Sequence, residues 1–235
     1  MGIYNFTRNL EGIKYLLQNP NSYRDVAHIH NVNAGSSYIE ESLSNKTRVI
    51  GIKNLTDSAG ATTLCYIMKK HLEDNYSVCA LEVDKRDFFY FDDKEMFSTS
   101  SMDLPKEIMK RREYNIIIID LNNYSDPSIC NDVIYLIEPS ILKLNKLMKR
   151  DRRVFEKHAN DKIVLNKSNI SQSDLNVFEY EAKAKIFYNI PALDERRNTS
   201  REVNGFLSKL GFAKQSIGAD DDDSAKNKLL GMFKF

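Results

Sequence analysis

From about residue 48 onward, apolar positions along this chain alternate between two rhythms. Short unbroken runs read as strands: Arg48 to Ile52, Val78 to Val83, Asn115 to Leu121, Val133 to Ile137, Lys162 to Leu165 and Ile186 to Tyr188. Between or after them come stretches with helical spacing, notably Leu64 to Leu72, Ile141 to Met148 and Val203 to Leu210. In the first of these Leu64, Ile67, Met68 and Leu72 share one face. The run Ile116-Ile117-Ile118-Ile119 has no polar face, which predicts a strand buried on both sides, as in a parallel sheet covered by helices. The expected fold class is therefore α/β, with a mostly parallel central sheet and helices on both faces. Its ligand site is expected beyond the carboxyl ends of the strands. No internal repeat is visible.

The pattern before residue 47 is weaker. Leu10, Ile13, Leu16 and Leu17 predict a short helix stopped at Asn19-Pro20, and a polar stretch through Asn33-Ala34-Gly35-Ser36-Ser37 reads as loop. The chain thus divides into an extension over 1–46, a core over 47–215 and a tail over 216–235.

Composition changes the picture little. With 235 residues, 42% hydrophobic and 29% charged, one substantial core is expected. A net charge of +1 gives no global argument for nucleic acid. Cys65, Cys79 and Cys130 lack a Cys-x-x-Cys spacing and read as buried free thiols in a reducing compartment. No apolar run has the length of a membrane span, and Met1-Gly2-Ile3-Tyr4-Asn5 lacks the regions of a signal peptide, so a cytoplasmic location is expected.

The candidate chemistry begins at Thr56-Asp57-Ser58-Ala59-Gly60-Ala61-Thr62-Thr63, between a strand and a helix. That is the context of a phosphate-binding loop, in which backbone N–H groups cradle phosphates, a lysine reaches the β/γ oxygens and a hydroxyl holds Mg2+. Here Ala61 stands at the lysine position. Asp57 adds a carboxylate that repels phosphate. The competing reading is a structural turn, with Gly60 kept for its backbone angle and Thr62 as a helix cap.

The order of these pieces resembles the ParA/MinD family of P-loop ATPases over roughly residues 47 to 215. Laid on that family's deviant loop, Thr56 replaces the signature lysine, Asp57 and Ser58 the two glycines, and Ala61 the phosphate-binding lysine, while Gly60, Thr62 and Thr63 remain. Glu82-Val83-Asp84 stands where the family has an acidic pair after its second strand. Tyr114 to Asp120 is similar to its Walker B strand, and Asp132 to Ser140 to the strand that follows it. Asn166-Lys167 resembles the element that recognises adenine, and Ile190-Pro191 the dipeptide flanking the base.

The resemblance implies a bound ATP with Mg2+, contacted by Gly60, Ala61, Thr62, Thr63, Asn166 and Pro191. The metal would be held by Thr62 and Asp120. Asp120, Asp84 and Glu82 are the catalytic candidates if the site is active. The altered loop leaves a chain without cofactor equally open. Lys53, three residues before the signature position, is the candidate for a displaced lysine. His28, His30, His71 and His158 have no companion ligands at a zinc-like spacing and are expected in surface or loop positions.

After the acidic run Asp220 to Asp223, which reads as a hinge, Lys228, Leu229, Leu230, Met232, Phe233 and Lys234 form a small amphipathic element. MinD-like proteins end in a helix that binds the membrane surface, and this tail is similar; docking in a partner's groove is the other reading.

Together these features predict a degenerate ParA/MinD-like spatial organiser with weak or absent ATP hydrolysis. In character it is most similar to the atypical TadZ/CpaE branch, whose members localise pilus or secretion machinery in bacterial cells. The expected partners are a second copy or a related ATPase, with peripheral attachment at the inner face of the cell membrane. The alternative is an active ATPase in DNA or plasmid partitioning, for which Lys149-Arg150-Asp151-Arg152-Arg153 is the candidate basic surface.

Overall fold

The computed structural model of the protein describes residues 47–124, 126–193 and 200–212. The predicted helix around Leu10, the acidic hinge and the amphipathic tail lie outside these residues.

Seven parallel strands form one sheet: β1 (Arg48–Asn54), β2 (Val78–Val83), β3 (Met96–Thr99), β4 (Ile116–Asp120), β5 (Asp132–Ile137), β6 (Lys162–Leu165) and β7 (Ile186–Asn189), in the order β3-β2-β4-β1-β5-β6-β7. The helices are α1 (Ala61–Leu72), α2 (Leu104–Lys110), α3 (Ile141–Arg150), α4 (Val154–Lys157), α5 (Gln172–Ala182) and α6 (Arg201–Lys209). The six expected strands are all present, with ends that shift by one or two residues. β3 was not predicted. Met96-Phe97-Ser98-Thr99 is an edge strand of four residues next to a charged stretch, too short to establish a period.

Alternation along the strands assigns the two faces. Ile50 and Ile52 of β1, Ile116 and Ile118 of β4 and Ile134 and Leu136 of β5 pack against Leu64 and Met68 of α1 and Val203 and Phe206 of α6. Tyr135 and Ile137 of β5, with Ile163 and Leu165 of β6, face Leu147 of α3, Val154 and Phe155 of α4 and Phe178 of α5. β4 is buried along its whole length, as its four consecutive isoleucines require.

The central position of β1 fixes where the site falls. β1 pairs β4 on one side and β5 on the other, so the chain leaves the sheet at a point where successive crossovers go to opposite sides. Residues 55–60, directly after β1, lie over that point. They lead into α1, whose cap position is Gly60 at φ 100, a left-handed conformation that glycine adopts without strain. A Cβ there would also stand 2.8 Å from Asn166 Nδ2. Gly60 is therefore fixed both by its angle and by the approach of the loop after β6.

Candidate functional site

Three strand ends converge on the loop after β1. β4 delivers Asp120, β2 the segment Asp84-Lys85, and β6 the pair Asn166-Lys167. Asp120 has no solvent exposure. Its Oδ2 accepts a hydrogen bond from the Thr62 hydroxyl at 2.8 Å, and its Oδ1 accepts the Asn122 N–H at 3.2 Å. Lys85 completes this cluster: its ammonium donates to Thr62 Oγ1 at 2.7 Å and lies 2.5 Å from Asp120 Oδ2. A cation thus already sits between the hydroxyl and the carboxylate that the sequence analysis assigned to Mg2+. As they stand, Thr62 and Asp120 do not fit a divalent ion, since both present their free oxygens to the ammonium. Thr62 is accordingly not the helix cap; that position belongs to Gly60, and the Thr62 hydroxyl points at β4.

The loop is held by the chain's own groups. Asn54 Oδ1 accepts the Ala61 N–H at 3.1 Å, occupying one of the donors that such a loop offers to a phosphate. Asn166 Nδ2 donates to the Ala59 carbonyl at 2.7 Å, and the Asn166 side chain is buried. Thr56, at the signature-lysine position, is buried and accepts the Glu138 N–H at 2.8 Å. Asp57 is exposed and lies 3.7 Å from the Arg150 guanidinium, which also donates to the Leu55 carbonyl.

Glu82 and Asp84 have local partners. Glu82 is fully buried in register with Asp120. Its oxygens accept the Asp87 and Phe88 N–H groups, both at 3.0 Å, and the Ser98 hydroxyl at 2.6 Å. That carboxylate shapes the turn after β2 and ties it to β3. Asp84, at φ 54, accepts the Ser101 N–H at 2.9 Å.

Lys53 does not reach the loop. Strand alternation puts it on the face opposite Ile52 and Asn54, where its ammonium donates to the Tyr124 carbonyl at 2.7 Å and burial lowers its pKa. The expected surface position of His71 is also corrected. It lies on α1, 1% exposed, because the helical period turns it inward beside Met68 and Leu72. Its Nδ1 is 2.9 Å from the Ile67 carbonyl and its Nε2 accepts the Ser200 N–H. Among the described residues no group of three His, Cys, Asp or Glu is placed to hold a metal ion. Cys65 and Cys79 are buried and free; Cys130 is only partly buried, although burial still pushes its thiol up to about 12.

On the side expected for a base, a cavity of about 110 Å3 is lined by Thr63, Leu64, Ile67, Asn166, Lys167, Ala192 and Leu193. Pro191 is half-buried beside it. The structure thus brings Gly60, Ala61, Thr62, Thr63 and Asn166 together at one end of the sheet. It turns Glu82 and Asp84 to other partners. The sequence analysis did not single out Lys85 or Asn54. The register of β2 beside β4 supplies the missing signal for Lys85, because Glu82 pairs with Asp120 and the turn that follows β2 starts beside the end of β4.

Several solved structures are similar to this chain. The MinD cell division protein of Aquifex aeolicus matches with a TM-score of 0.50 at 14% identity, over 73% of this chain and 98% of that one. A plasmid partition protein of Borrelia burgdorferi, solved with AMPPNP, matches at 0.47 and 14% identity over 71% of this chain and 98% of that one. The hydrogenase maturation factor HypB of Archaeoglobus fulgidus matches at 0.48 and 14% over 68% and 89%. The match to the Aquifex protein is one of fold, a P-loop NTPase-like parallel α/β sheet as in that MinD protein. Identities this low speak for the fold alone. No protein-family profile matches the chain. No curated protein matches it in sequence.

Proposed function

We propose that this protein is a degenerate ParA/MinD-like spatial organiser, a scaffold whose nucleotide site has lost all or nearly all hydrolytic capacity. The observation that carries this reading is the closure of the phosphate loop by internal partners. Ala61 brings no lysine, its N–H is held by Asn54, and Lys85 occupies the Thr62–Asp120 pair. Phosphoryl transfer depends on cations and donors aimed at charge that develops on the phosphate, and here those groups are directed at the protein itself. Glu82 and Asp84, which would have to orient water, accept backbone N–H groups instead.

Partner binding draws support from the surface. Phe89 and Tyr90 follow β2, Met102 follows β3, and Ile141 and Leu142 follow β5, so all leave the sheet at its carboxyl end, and each is largely exposed. Isolated exposed apolar residues are ordinary, but their concentration at one end of the sheet favours docking of a second copy or a related ATPase. No helix of the described residues is long and apolar enough to cross a membrane. Any membrane contact in this reading is peripheral, through Lys228 to Lys234.

The test is localisation of a full-length fluorescent fusion. Discrete foci or polar accumulation that persist in Asp120→Asn are expected of a scaffold that does not cycle through nucleotide states. Removing residues 225–235 is expected to disperse them. A uniformly diffuse fusion, or foci that dissolve in Asp120→Asn, would reject the reading.

A further inference from the structure

Lys85 is the cation at the site whose position no expectation covers. We propose that its ammonium is an internal replacement for a divalent cation, so that the Thr62–Asp120 pair excludes Mg2+. The proposal rests on the scaffold reading only in concerning the same site.

The geometry is that of an ammonium site. Thr62 Oγ1 accepts from Lys85 at 2.7 Å and donates its own proton to Asp120 Oδ2 at 2.8 Å, while Lys85 Nζ is 2.5 Å from the same Oδ2. The three atoms close a triangle of charge-assisted bonds. A magnesium ion would need the Thr62 lone pair at about 2.0–2.1 Å, Asp120 directly or through a metal-bound water, and several waters besides. The ammonium supplies donors at hydrogen-bond distance and leaves no such space. The charge also balances without a metal. Asp120 is completely buried and needs one compensating cation, which Lys85 provides with its side chain 19% exposed. The other buried carboxylate of the region, Glu82, is satisfied by two N–H groups and a hydroxyl and offers no oxygen to a second ion.

Tethering strengthens the exclusion. Lys85 is two residues beyond the end of β2, which is held in register against β4, so the ammonium has only a short span to cover and competes with dissolved Mg2+ as an intramolecular ligand.

Mn2+ titration followed by electron paramagnetic resonance tests this on the full-length chain, with Asp120→Asn as the background. The wild type is expected to bind no Mn2+ above that background. Lys85→Ala and Lys85→Met are expected to bind Mn2+ at least roughly tenfold more tightly than that background, and a second substitution, Asp120→Asn, to abolish the gain. An Asp120-dependent Mn2+ site in the wild type overturns the proposal, as does the lack of any gain in both Lys85 variants. A measurement on the wild type alone guards against misfolded variants: acylation of Lys85, read by mass spectrometry, should be unchanged by millimolar Mg2+. A rise in labelling would mean the metal displaces the ammonium and would also overturn the proposal. ATP turnover or a diffuse fusion would end the scaffold reading without altering these outcomes, because the metal is counted on the resting protein.

Discussion

The two halves of the candidate site have fared differently. On the phosphate side, between Gly60, Thr62 and Asp120, polar groups that a ligand would need are bonded to Asn54 and Lys85. On the base side, Thr63, Leu64, Ile67 and Leu193 still line a cavity of about 110 Å3. The difference separates shape from charge. The shape of this end of the sheet follows from the crossover geometry and persists as long as the fold does. Charge handling depends on a few side chains, and in the proposed reading internal pairs at those positions keep the core neutral without supplying the chemistry.

The strongest way to break this comparison is to remove the internal cation. Lys85→Ala leaves the buried Asp120 carboxylate without its partner and is expected to cost about 3–5 kcal/mol, read from urea unfolding. Asp120→Ala should cost less, because the partly exposed Lys85 can turn to water. The double substitution should be milder than the sum of the two. Strict additivity would show that the pair is not coupled.

Gly60→Ala probes the junction of the two halves. Its φ of 100 and the 2.8 Å approach to Asn166 Nδ2 predict a loss of about 1–3 kcal/mol. Asn166→Ala sharpens the base side. If Asn166 serves mainly to hold the Ala59 carbonyl, stability falls by about 1–3 kcal/mol, whereas a stable variant with altered adenosine binding would assign it to the ligand.

The smallest effect is expected from pH. Burial holds the His71 imidazole below its ordinary value of 6.5. The unfolded chain takes up a proton below about pH 6.5 that the folded chain resists, so stability should decline as pH falls through that value. Urea midpoints between pH 7.5 and 5.5 should show this decline, flattened in His71→Gln.

Strand positions were legible from runs such as Ile116 to Ile119, and the loop was legible because Gly60 lies between a strand and a helix whose first turn carries Thr62 and Thr63. What the sequence hid depends on register. Lys85 is an ordinary lysine after a strand until β2 is paired with β4, and Glu82 looks like a free acid until β3 brings Ser98 beside it. α5 escaped notice because none of its residues is fully buried, so its apolar positions carry no clear period. Arg150, part of the candidate basic surface, donates to the Leu55 carbonyl across the fold.

Phosphate release from ATP with Mg2+ by the full-length chain, measured beside Asp120→Asn and Ala61→Lys, tests the proposal that this end of the sheet performs no phosphoryl transfer. The account predicts release no faster than the Asp120→Asn background. It also predicts no gain from Ala61→Lys, since Lys85 still fills the Thr62–Asp120 pair. Wild-type turnover that disappears in Asp120→Asn would contradict it.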